Sequence, residues 1–170
     1  MNQPYSDLDV STLYMLIGES VWQLQHLENA LSTHTTLRIL EWKKSQGIKI
    51  NETHAMKSLG NQQKQVLGQL IGSAKKHGAI PKSLYMRFRD FLDERNWIIH
   101  KCVINEYLSL RNENNKTRLF NRINKFTIEA RLLIKEVNSF NELWYVEKGY
   151  SLEESQRNAE KILSDAEKNN

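Results

Sequence analysis

The 170-residue sequence predicts an all-α fold, an up-and-down bundle of four long helices with a short carboxyl-terminal helix appended. Three observations carry this. Only two prolines and seven glycines interrupt the chain, apolar residues recur at helical spacing over nearly all of it, and no alternating strand pattern persists. With 39% hydrophobic and 26% charged residues the chain can bury one core, so residues 1–170 are expected to form a single domain.

The first helix is expected to begin near Asp7 or Asp9, carrying Leu13, Leu16, Ile17, Val21, Leu24, Leu27 and Leu31 inward, and to continue through Trp42 until Gly47 ends it. A second helix is expected over about 55–76, with Val66, Leu67, Leu70, Ile71 and Ala74 inward. Its Gly68 and Gly72 each cost up to about 1 kcal/mol against alanine, which implies that a neighbouring helix approaches there. Pro81 suits the first turn of a third helix reaching about Leu110, followed by a loop over 111–116. In the fourth, Leu119, Ile123, Phe126, Ala130, Leu133, Val137, Phe140 and Trp144 alternate spacings of four and three, a heptad seam. Ser151 with Glu154 forms a capping box for the short helix within 151–170.

Chemistry concentrates in the third helix, at Asp93-Glu94-Arg95-Asn96-Trp97-Ile98-Ile99-His100. On a wheel of roughly 100° per residue, Phe88, Phe91, Leu92, Ile98, Ile99 and Cys102 fall within about 60° of Arg95, while Asp93, Asn96 and His100 gather on another side. An arginine amid an apolar face costs several kcal/mol unless it has a partner, a ligand or a route to solvent. Arginine stays charged and grips two phosphate oxygens at once, and histidine, with an unperturbed pKa near 6.5, suits proton transfer. Asn96 stands one turn before His100 and can orient the imidazole or bond a phosphate. Asp93 and Glu94 are candidates for holding Arg95 or tuning His100. Met86, Trp97 and Ile104 form a second apolar strip on the outer side, which fits a subunit interface.

Arg95-Asn96, three further residues and His100 resemble the arginine, four residues, histidine signature of the HEPN superfamily, in which a polar residue, often asparagine, follows the arginine. The resemblance implies a helical bundle that dimerises and a metal-independent endoribonuclease with no cofactor. Two motif helices meeting near a two-fold axis would place two arginines and two histidines around one RNA phosphate. It also implies a toxin or phage-defence role, with an antitoxin protein as a possible partner. In a toxin subgroup a partner enzyme modifies a tyrosine two residues after the histidine. Cys102 occupies that position here, so neutralisation by that route is not expected.

Competing readings are specific. Arg95 could pass its apolar neighbours to pair with Glu19 or Glu28 of the first helix, with His100 an interior residue. The heptad seam could bind a partner protein in a non-catalytic interaction module, or the chain could bind RNA without turnover. Arg118, Arg122 and Lys125 form a basic row, and Lys43-Lys44 and Lys75-Lys76 are basic pairs; each could contact phosphates, or be a solvated helical face. The net charge of +4 is compatible with a polyanionic partner without requiring one. His26, His34, His54 and His77 lack metal-ligand spacing, so no metal is expected. One cysteine excludes an intramolecular disulfide, and Cys102 is expected as a buried thiol. The stretch Met1-Asn2-Gln3-Pro4-Tyr5 lacks the regions of a signal peptide, and no apolar run approaches the roughly 20 residues of a membrane span; a cytoplasmic protein without membrane contact is expected.

Overall fold

The structure, a computed structural model, describes residues 6–102 and 107–149 together with Ser151, Glu153 and Arg157. Among them it contains helices α1 (Asp7–Ser45), α2 (Glu52–Gln63), α3 (Leu67–Lys76), α4 (Lys82–His100) and α5 (Glu113–Glu147), with a 3-10 turn at Tyr107–Arg111 and no strand. The expected appended helix, including Glu154, and Ile104 of the proposed strip lie outside the described residues.

The helix ends follow local chemistry. Ser6 and Asp9 form a reciprocal capping box that starts α1, and Asn112 accepts from the backbone of Asn114 and Asn115 to start α5. The segment 111–116 is therefore mostly helix rather than loop. Gly47, at φ 77°, and Gly78, at φ 62°, take the left-handed conformation just past α1 and α3.

Two further boundaries differ from expectation. The helix expected over 55–76 is two helices, broken at 64–66. Nothing in the local sequence announces the break: Val66 offers no side-chain cap, and the backbone N–H of Leu67 is instead bonded by Glu28 Oε1 of α1 at 3.2 Å. The helix expected to reach Leu110 ends at His100, and Leu110 lies in the 3-10 turn. Of the two glycines expected at a close approach, only Gly68 has a neighbour, since a Cβ there would stand 3.4 Å from Leu92, whereas Gly72 faces open space.

Splitting the second helix adds a reversal, and this changes the topology. Asp9 with Lys116, Ser20 with Thr127 and His34 with Asn141 are each linked across 107 residues, and Glu41 with Lys148 keeps the same offset. A constant difference means that α1 and α5 run parallel, whereas the first and fourth helices of a four-helix up-and-down bundle run antiparallel. Opposite running is seen for α4 against α5: Arg87 bonds Glu129 and Glu136, Phe91 stacks on Phe126 at 4.4 Å, and Glu94 bonds Arg122.

The apolar faces meet in two clusters. The larger contains Leu24, Leu27 and Leu31 of α1, Leu67, Leu70 and Ile71 of α3, Leu84, Phe88 and Phe91 of α4, and Phe126, Leu133 and Val137 of α5. The smaller holds Leu13, Cys102, Leu110, Leu119 and Ile123, and Trp97 packs against both. The heptad seam of α5 is consumed here: it is buried from Leu119 to Val137 and half-buried at Phe140 and Trp144. It is not free to bind a partner.

Candidate functional site

Helix α4 is fixed near its start by His34. That side chain is wholly buried, and its Nε2–H donates to the Ala79 carbonyl at 2.6 Å while Nδ1, left as an acceptor, lies 2.8 Å from the side-chain amide of Asn141. One imidazole thus ties α1 and α5 to the residues that lead into the motif helix.

Arg95 is half-buried, as an arginine on an apolar face must be if its head is to reach water. Its guanidinium turns toward the polar side of the helix, where Nη1 donates to Asn96 Oδ1 at 3.2 Å. Its Nε is buried and bonds nothing among the described residues. Behind it lies Glu28. Burial raises the Glu28 carboxyl above its ordinary range, and the positive charge of Arg95, followed by the Leu67 N–H, opposes that rise. Arg95 and Glu28 are electrostatic neighbours without forming a contact ion pair. Glu19, the other carboxylate considered for this role, is bound instead by Arg131.

Asn96 and His100 are exposed, and His100 is the last residue of α4. His100 is therefore a surface group, not an interior one. The acids beside the motif do not hold Arg95. Glu94 grips Arg122 through two bonds of 2.9 Å. Exposed Asp93 acts on Arg89, whose charged form is favoured chiefly by the bond to Tyr85 and then by this and other nearby charge.

The expected RNA-binding row is divided. Arg118 and Lys125 are exposed, but Arg122 is committed within the chain, its guanidinium lying 3.6 Å from the Trp97 ring centroid as well as against Glu94. The apolar strip is interrupted for the same reason. Met86 is 53% exposed, whereas Trp97 is half-buried under Arg122 and packs inward, so it is a core joint and not part of an open strip. A groove of about 620 Å³ runs between α4 and α5 over the Phe91–Phe126 stack, but neither Arg95, Asn96 nor His100 lines it. Among the described residues, no three His, Cys, Asp or Glu side chains gather to hold a metal ion.

The structure thus brings Arg95 to Asn96 and leaves His100 exposed one turn further on. It adds Glu28 behind the arginine, a residue that spacing alone offered only as a structural partner. No family model, curated protein or solved structure matches this chain.

Proposed function

We propose that the chain is a homodimeric, metal-independent endoribonuclease of HEPN type, acting as a toxin or in phage defence. The observation that carries this is the turned guanidinium. A merely structural Arg95 would close a contact ion pair with Glu28, whereas here its head donates to Asn96, on the side of the exposed His100. In a two-fold pair, His100 of one copy takes the proton from the ribose 2′-hydroxyl and the 2′-oxygen attacks phosphorus. His100 of the other copy protonates the departing 5′-oxygen, so the products are a 2′,3′-cyclic phosphate and a 5′-hydroxyl. Arg95 offsets the charge of the pentacovalent phosphate and Asn96 fixes its direction. An antitoxin would act by covering this surface.

A second reading rests on Glu28. If Arg95 serves only to offset that half-buried carboxylate, the bundle is non-catalytic. Incubation of labelled RNA with the pure protein in chelator, beside Arg95→Ala and His100→Ala, separates the two. The nuclease cuts and both variants lose the activity; the structural bundle leaves RNA intact in every lane.

A further inference from the structure

The opposite end of the bundle, where α1, α3 and α5 terminate, gathers positive charge around an exposed aromatic ring. Lys43 and Lys44 lie in the last turn of α1, Lys75 and Lys76 in the last turn of α3, and Lys148 caps α5. Lysines favour helix carboxyl termini because the macrodipole is negative there. That accounts for their sign, but not for a tryptophan 54% exposed among them. Lys148 is bound by Glu41 and Lys75 lies over the Tyr85 ring, whereas Lys43, Lys44 and Lys76 form no ion pair among the described residues. The charges of Lys76 and Lys43 both reach His77. Burial first, then Lys76 and Lys43, hold the His77 imidazole below its ordinary value. The Trp42 and His77 ring centroids stand 6.2 Å apart with the planes inclined at 59°, on the wall of a depression of about 600 Å³ that Lys44 also lines.

We infer that this end binds single-stranded RNA, with a base stacked on Trp42 and the flanking phosphates neutralised by Lys43, Lys44 and Lys76. Stacking requires a splayed base, which a duplex does not offer. Trp42 stands on the wall of a depression rather than on a protruding face, which suits a single inserted base better than an anionic lipid surface. The inference rests on RNA being the ligand of the proposed nuclease and extends its substrate to a strand of several nucleotides. Trp42 and Glu28, the neighbour of Arg95, are 14 residues apart on α1, about 21 Å at roughly 1.5 Å per residue, which about six stacked nucleotides would span.

The test uses the full chain and a fluorescein-labelled 12-nucleotide 2′-O-methyl oligouridylate, which cannot be cut by 2′-hydroxyl attack, so binding is read apart from turnover. Trp42→Ala should weaken its anisotropy-detected binding about fivefold or more. The triple variant Lys43→Gln, Lys44→Gln, Lys76→Gln should also weaken it and should flatten the slope of log affinity against log salt by about 2. Helix content and melting temperature should stay near the parent in both, and cleavage of a uridine dinucleotide should not change. Unchanged affinity in both variants overturns the inference, as does equal affinity for a duplex. Preference for phosphatidylserine vesicles over RNA also overturns it. Cleavage that persists while the variants bind like the parent removes this site alone. Binding that drops in the variants while no RNA is ever cut retains the site and removes the nuclease.

Discussion

Replacing His34 by phenylalanine should destabilise the fold by about 1–3 kcal/mol, and the size follows from what the imidazole holds. The phenyl ring is somewhat larger than the imidazole and remains beside Phe140, whose ring centroid is 5.8 Å away, so no cavity forms. What goes is the hydrogen bond to the Ala79 carbonyl. Ala79 is 4% exposed, so its oxygen finds no water, and a buried orphan of this kind costs about 1–3 kcal/mol. Asn141 is half-buried and can regain water, so its loss adds little. His34→Ala adds a cavity to the orphan and should cost about 3–5 kcal/mol. Urea unfolding followed by circular dichroism measures both. An unchanged slope with a lower midpoint is expected, together with a fall in melting temperature of about 2–4 °C per kcal/mol. A neutral or stabilised His34→Phe would refute the role of His34 as the tie between α1, α5 and the start of the motif helix.

Further outcomes follow from contacts at both ends of the bundle. Trp97→Ala should cost about 2 kcal/mol, less than a fully buried tryptophan, and Met86→Glu almost nothing. In light scattering at micromolar concentration the parent should be a dimer that Met86→Glu weakens; a strictly monomeric parent would count against the two-copy cleft. Arg95→Ala removes the charge that opposes the raised pKa of Glu28. An acid whose folded pKa lies above its unfolded value loses stability as pH rises between the two, so this variant should fall below the parent near pH 7 and converge with it near pH 4. A constant difference across that range would show that Glu28 does not feel Arg95. The His77 pKa is depressed in the folded protein, so the unfolded chain takes up a proton first as pH falls through about 6.5. The parent should therefore lose stability against His77→Gln between about pH 7 and pH 5, and parallel curves would contradict the burial and the Lys76 and Lys43 repulsion invoked for it.

Elements governed by their own periodicity were legible in the sequence. The start of α1, the seam of α5 and the start of α4 after Pro81 lie where local patterning puts them. The break between α2 and α3 was not legible, because the group that ends the orphan state of Leu67 N–H is Glu28, 39 residues earlier. Nor was the parallel pairing of α1 and α5, since polar links such as Ser20 with Thr127 have no local signature. The motif was legible as a spacing, and its internal geometry only partly so. The wheel placed Arg95 on the apolar face but could not show that its head bends to Asn96, or that Glu94 would be drawn off by Arg122. Trp97 shows the same limit: a wheel assigns a face, but Arg122 of another helix lies over that face.

The most direct test of the nuclease assignment is the chemistry of the cut. Pure protein, RNA and excess chelator should yield fragments ending in a 2′,3′-cyclic phosphate and beginning with a 5′-hydroxyl, while the same sequence with 2′-O-methyl riboses stays whole. Arg95→Ala and His100→Ala should each slow the reaction by about 10² or more. Intact RNA in chelator, cleavage of the 2′-O-methyl strand, or full activity in His100→Ala would contradict the assignment.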